Sequence, residues 1–112
     1  SEHYVGKKSF IKDNGGAIPP NVLVYPNTSD DKNYIDYCKV NDYSLHPARM
    51  PKNLAEFFIK FLTKKGDLVL DPFAGSNITG YVAECLGRRW ISVELLKEYA
   101  RGSKGRFVNP KK

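Results

Sequence analysis

From Pro51 onward the chain alternates between helical apolar periodicity and short continuous apolar runs, and that alternation leaves few folds open. Leu54, Phe57, Phe58, Phe61 and Leu62 fall at i, i+3, i+4, i+7 and i+8, one apolar face of a helix. Pro51 suits its first turn, where the missing N–H does no harm, and Gly66 suits the stop beyond Lys64-Lys65. Leu68-Val-Leu70, bounded by Gly66-Asp67 and Asp71-Pro72, then reads as a buried strand. A second helix is expected from about Asn77 to Leu86, with Ile78, Val82, Cys85 and Leu86 on one side and Gly87 ending it. Trp90-Ile-Ser-Val93 gives another strand closing on Glu94, and Leu95, Leu96, Tyr99 and Ala100 open a last helix, with a frayed tail beyond Gly102.

Helix, strand, helix, strand, helix in that order implies parallel strands joined by right-handed crossovers, an open α/β sheet with helices on its faces. Upstream of His46 the chain is rich in turns: Gly15-Gly16 and Pro19-Pro20 punctuate it, Asn21-Val-Leu-Val-Tyr25 reads as one short strand, and Ser29 or Asp30 caps a short helix reaching about Lys39. That makes about three strands, whereas such sheets usually hold about five or six. The sheet is therefore expected to be incomplete. The division expected is an irregular connecting segment over 1–45, an α/β region over 46–105 and a basic tail over 106–112.

Composition narrows the setting. Apolar and charged fractions of 41% and 27% are those of an ordinary globular protein. No apolar run approaches the roughly 20 residues that cross a bilayer, and Ser1 to Phe10 is polar and basic, so the expected setting is cytoplasmic, with no membrane partner. Cys38 and Cys85 lie far apart and outside any Cys-x-x-Cys spacing, which suggests neither a zinc site nor a disulfide framework; both are read as reduced and structural. The formal charge of +6 favours polyanions, with basic residues at Lys7-Lys8, Lys64-Lys65, Arg88-Arg89 and Lys111-Lys112, though a solvated basic surface explains charge alone equally well.

The chemistry is concentrated in Asp71-Pro-Phe-Ala-Gly-Ser-Asn-Ile-Thr-Gly80, between a strand and a helix. In open α/β sheets ligands bind beyond the carboxyl ends of strands, where the turn into a helix offers backbone N–H groups and a positive dipole end. Gly75 lets the backbone approach a ligand closely and Gly80 permits close helix packing, although the glycines alone fit a plain strand-to-helix turn. Glu94 stands 23 positions after Asp71, at the end of the next strand, placed to accept both hydroxyls of a ribose. By itself it fits an ordinary carboxylate at a helix start. The Gly-x-Gly-x-x-Gly spacing of nicotinamide sites and the Gly-Lys-Ser/Thr of a P-loop are both absent.

This stretch resembles the S-adenosyl-L-methionine loop of the DNA amino-methyltransferases, commonly Asp-Pro-Phe-Ala-Gly-Ser-Gly/Asn-Thr-Thr-Gly. His46-Pro-Ala-Arg-Met-Pro51 with its following helix is similar to the second cofactor motif, which directly precedes the loop in the β-type motif order. Arg88-Arg-Trp-Ile-Ser-Val-Glu94 is similar to the segment whose acidic residue holds the ribose, and the Gly15 to Thr28 stretch resembles members that methylate cytosine N4. The resemblance implies a partial Rossmann-like methyltransferase fold, an incomplete parallel sheet with flanking helices. It also implies S-adenosyl-L-methionine as cofactor and double-stranded DNA as partner, cytosine N4 first and adenine N6 second. Asp71, Phe73, Gly75, Ser76 and Thr79 would line the methionine end with Ala74 and Asn77 nearby, Glu94 would take the ribose, and His46, Pro47, Ala48 and Arg49 would close the site. His46 read alone fits a turn residue.

Two positions depart from the pattern: Ile78 replaces a usual threonine, and Met50 stands where Phe is often found. A larger departure is chemical. These enzymes act through an Asp/Ser/Asn-Pro-Pro-Tyr/Phe segment, whose polar group and backbone carbonyl hold the target amine while the ring stacks on a flipped-out base. In these 112 residues the only Pro-Pro is Ile18-Pro-Pro-Asn21, which has neither the polar acceptor nor the ring and reads as a rigid turn. No catalytic residue is therefore assigned. The expectation is the cofactor-binding part of a type II-like restriction-modification methyltransferase, its catalytic motif carried upstream of Ser1 or on a complementary chain. Two rivals are a non-catalytic DNA-binding or scaffold module derived from such an enzyme, and a methyltransferase acting on RNA or a small molecule, since a cofactor site names the donor and not the acceptor.

Overall fold

The computed structural model describes residues 21–24 and 31–108. The Gly15-Gly16 and Pro19-Pro20 turns, the Ser29 or Asp30 cap and Lys111-Lys112 lie outside the described residues. In chain order the elements are α1 (Lys32–Val40), α2 (Lys52–Leu62), β1 (Leu68–Asp71), α3 (Ile78–Cys85), β2 (Arg89–Ser92) and α4 (Lys97–Ser103), followed by a 3-10 turn over Lys104–Arg106. β1 and β2 pair in parallel, with Leu68 opposite Arg89, Val69 opposite Trp90, Leu70 opposite Ile91 and Asp71 opposite Ser92. This is the expected α/β architecture, and α3 is the crossover helix that a parallel pair requires.

Packing follows from the two-residue period of the strands. Val69 and Trp90, paired in register, face α3 and join the core formed by Ala55, Ile59, Ile78, Val82 and Ala83, with Tyr81 and Leu86 against it. The opposite sheet face is bare. Leu68, Leu70 and Ile91 are 48%, 62% and 51% exposed, so the expectation of a strand buried on both sides is corrected. Among the described residues, helices cover only one face of each strand.

Three further expectations change. Asn21–Val24 forms no strand; Val22 and Val24 are exposed, and an extended segment becomes a strand only with a ladder partner. The side of α2 that packs is Ala55 and Ile59, not the Leu54, Phe57, Phe58, Phe61, Leu62 stripe: Phe58 and Leu62 stay exposed and Phe57 stacks on Phe61. Lys52, Asn53, Glu56 and Lys60 group on one polar side of α2, and the apolar arc opposite is wider than one stripe, so the period does not say which part of that arc packs. In α3 it is Ala83, not Cys85, that fills the core; Cys85 is exposed, whereas Cys38 is fully buried.

Helix ends agree to within a few residues. Pro51 occupies the N-cap of α2 instead of its first turn, and α2 stops at Leu62, before Gly66. Arg88, expected in a basic surface pair, closes two helix ends: its guanidinium donates to the Thr63 hydroxyl and carbonyl at 2.9 and 2.8 Å and to the Leu86 carbonyl at 2.9 Å.

A second cluster forms where α1 crosses α4 and the 3-10 turn. Tyr34 and Cys38 are buried there, and Gly105 lets the backbones meet, since a Cβ at that position would lie 2.5 Å from the Tyr37 Cβ. Over residues 103–108 the expected fraying is therefore corrected: Gly105 and Arg106 are buried and Phe107 stacks on Trp90 with ring centroids 5.1 Å apart. Among the described residues no helix is long and apolar enough to cross a membrane.

Candidate functional site

Parallel pairing brings the carboxyl ends of β1 and β2 side by side, and backbone bonds hold the β1–α3 loop against the end of β2. The Val93 N–H donates to the Asp71 carbonyl and the Ala74 N–H to the Val93 carbonyl, both at 2.9 Å. The Asp71 carboxylate folds onto its own loop, accepting the Phe73 N–H at 3.0 Å. A tight turn follows, closed by the Asn77 N–H on the Ala74 carbonyl at 2.7 Å, with Gly75 at φ +56° and Asn77 at φ +64°. The left-handed region is open to glycine and tolerated by asparagine, whose side chain here accepts the Gly80 N–H at 3.0 Å and the Ser92 hydroxyl at 2.6 Å. Asn77 is thus the N-cap of α3 and a tie to β2.

Glu94 closes the arrangement. One carboxylate oxygen accepts the Gly75 N–H at 2.7 Å and the other the Leu96 N–H at 2.9 Å, so the group bridges the β1–α3 loop and the approach to α4. From the other side His46 covers Gly75: a Cβ added there would lie 3.0 Å from the His46 Nε2. The His46 Nδ1 accepts the Ala48 N–H at 3.1 Å, which leaves the proton of a neutral ring on Nε2, and the ring meets Tyr99 edge-on at 4.7 Å.

The residues expected from sequence therefore separate into groups. Asp71, Ala74, Gly75, Glu94 and His46 come together at the strand tips. Ser76, Asn77 and Arg49 are adjacent, but their side chains are engaged inside the protein: Ser76 with Arg106, Asn77 with Gly80 and Ser92, Arg49 with Asp31 at 3.0 Å and the His46 carbonyl at 3.0 Å. Phe73 stands 88% exposed at the loop, and Pro47 and Ala48 are exposed. Thr79 lines a groove of about 430 Å³ between α2 and β1, whose other walls include Met50, Phe58, Leu62 and Leu70.

Sequence reading missed Asp31, Tyr34, Ser92 and Arg106. Asp31 and Arg106 form a salt bridge at 2.8 Å with both side chains 2% exposed. Burial pushes the Asp31 carboxyl up, but the hydrogen bond and charge of Arg106, with the Arg49 hydrogen bond, outweigh it and hold the group below the usual carboxylate range. Burial pushes the Tyr34 hydroxyl up, against the His46 N–H that it accepts at 2.9 Å. These contacts join residues far apart in the chain, and no local pattern announces them.

An open parallel α/β unit, with its strand-to-helix loop clasped by the acidic residue that closes the next strand, is the partial Rossmann-like core of a methyltransferase. The chain belongs to the DNA methylase (N6_N4_Mtase) family, which matches residues 7–105. It is 50% identical over 109 residues to the type II methyltransferase M.PvuII of Proteus hauseri, covering 97% of this chain and 32% of that protein. Among solved structures it is similar to the PvuII DNA methyltransferase (cytosine-N4-specific), with a TM-score of 0.78 and 45% identity over 87% of this chain and 34% of that one. It is also similar to the M1.HpyAVI–SAM complex, with a TM-score of 0.54 and 40% identity over 56% of this chain and 31% of that one. The chain spans about a third of the length of these relatives.

Proposed function

We propose that this chain is the S-adenosyl-L-methionine-binding part of a DNA methyltransferase that modifies an exocyclic amino group, cytosine N4 in the first instance, in a restriction-modification setting. The observation that carries the reading is the Glu94 carboxylate bridging the Gly75 and Leu96 N–H groups at the strand tips, under the His46 ring. A carboxylate offers about four lone-pair directions. Two are taken by these N–H groups, which fix its plane, and two remain for the vicinal hydroxyls of a ribose. Gly75, without a Cβ, lets the His46 ring lie against the loop, since a Cβ there would lie 3.0 Å from the His46 Nε2, and so brings His46 close to the loop backbone. Both features fit the cofactor.

Bound S-adenosyl-L-methionine would supply an electrophilic methyl group. The residues of this chain hold and orient it: Glu94 at the ribose, the 71–77 loop at the methionine end and His46 as the lid. Cytosine N4 is favoured over adenine N6 by the similarity to a relative named cytosine-N4-specific. The target base, the polar-Pro-Pro-aromatic segment that would activate it and the recognition region are assigned to a part of the protein beyond these residues. The groove walled by Met50, Phe58, Leu62, Leu68 and Leu70 offers that part an apolar seat.

Isothermal titration with S-adenosylhomocysteine tests the core of this reading, and absence of binding by the folded chain would overturn it. A tritium-transfer assay with labelled S-adenosylmethionine and mixed-sequence DNA tests the division of labour. The 112-residue chain alone is expected to transfer nothing, because losing the positioning of the target nitrogen removes about 7 to 11 kcal/mol of barrier lowering. Its DNA binding is expected to be weak, sequence-independent and steeply reduced by salt.

A further inference from the structure

Arg106 lies 30 positions from the loop residue it holds and outside the strand tips that form the site. Its guanidinium is buried, and its hydrogen bonds converge on two residues. Nε donates to the Ser76 carbonyl at 2.6 Å, Nη2 to the Ser76 hydroxyl at 2.8 Å and Nη1 to the Asp31 carboxylate at 2.8 Å. The Tyr34 ring lies beneath it, 4.4 Å from centroid to guanidinium carbon. The second Asp31 oxygen accepts Arg49 Nε, Arg49 donates to the His46 carbonyl, and the Tyr34 hydroxyl accepts the His46 N–H. One network, fully buried at Arg106 and Asp31 and half-buried at Arg49 and His46, therefore reaches both sides of Gly75, through Ser76 in the loop and through His46 above it.

A buried ion pair is a poor device for stability alone, since well-packed apolar residues of similar volume often do as well or better. What a guanidinium adds is a planar fork that fixes two acceptors at once. Gripping the carbonyl and hydroxyl of the same residue sets the Ser76–Asn77 peptide and the Ser76 rotamer together. We infer that Arg106 is a positioning residue for the methionine end of the cofactor site, aligned by Asp31, and that it acts through Ser76 without touching the cofactor. The assignment rests on the cofactor-site reading above.

That role separates two ligands. S-adenosylhomocysteine engages both the 71–77 loop and Glu94, whereas adenosine depends on the Glu94 end. Titration calorimetry on the full chain, run below each variant's melting transition, is expected to show Arg106→Met weakening S-adenosylhomocysteine by about tenfold or more while adenosine changes by less than about threefold. Arg106→Lys retains charge but not the fork and is expected to restore only part of the loss. Asp31→Asn, which leaves the fork but slackens its alignment, is expected to shift the same ratio in the same direction. Should Arg106→Met fail to fold, the lysine and asparagine variants carry the comparison. Parallel weakening of both ligands, or an unchanged ratio in the folded variants, would overturn the assignment and leave the cofactor site standing. A wild-type chain that binds neither ligand would refute the cofactor-site reading itself, and the role of Arg106 with it.

Discussion

Replacing Glu94 by alanine removes acceptors from two backbone donors of unequal burial. The Gly75 N–H, 2.7 Å from the carboxylate, sits on a buried residue, whereas Leu96, at 2.9 Å, is half exposed. Water reaches the second donor readily. The first is left unsatisfied at a cost of about 1 to 3 kcal/mol, which falls on folding stability. Ligand affinity is a separate measurement. Loss of a charged acceptor for the ribose hydroxyls removes about 1.5 to 3 kcal/mol of binding free energy, which corresponds to roughly a 10- to 150-fold rise in Kd for S-adenosylhomocysteine. Glu94→Gln is the informative control, because an amide offers one acceptor for Gly75 but turns an N–H₂ toward the Leu96 N–H or the reverse; its affinity is expected to fall between wild type and alanine. Circular dichroism establishes that each variant is folded at the titration temperature. An unchanged Kd in folded Glu94→Ala would remove this carboxylate from the site.

Gly75→Ala is expected to lower the melting temperature through about 1 to 2 kcal/mol of left-handed backbone strain, and to weaken S-adenosylhomocysteine by pressing on His46; an unaltered melting curve would refute the strain argument. Asp31 has its carboxyl held below the ordinary value of 3.8, so its contribution to stability is fully present above that pH and is lost as pH falls through the lower folded value. Urea midpoints measured from pH 7 to pH 2 are expected to drop in that acid window for wild type. Asp31→Asn is expected to start about 3 kcal/mol lower near neutrality, from the broken buried pair, and to lack that part of the acid slope; parallel slopes would exclude the residue as its source. On the bare sheet face, Leu70→Lys with Ile91→Glu places an opposite-charge pair at facing positions. Light scattering is expected to show less self-association of the isolated chain than wild type, and equal association would mean that this face is not the sticky one.

Much of the core was readable because its signals are local. Asp71 to Gly80 and Glu94 lie at strand ends that short apolar runs announce, and the turn between them needs glycine and asparagine where the backbone takes a positive φ. The α/β order, the parallel pairing and a helix starting near Asn77 follow from neighbours in the chain. Which side of α2 packs, which face of the sheet is covered and whether Val22 to Val24 pairs were decided by what else is present to pack against. The grip of Arg106 on Ser76 and Asp31 was likewise beyond sequence. It joins residues 75 and 30 positions apart, and a basic residue in a Gly-rich C-terminal stretch looks like any solvated charge until the fold removes the water around it. Local chemistry determined the loop and its acidic partner; only tertiary structure decided what holds that loop from beneath, because burial of a charge and its pairing are properties of three-dimensional neighbours.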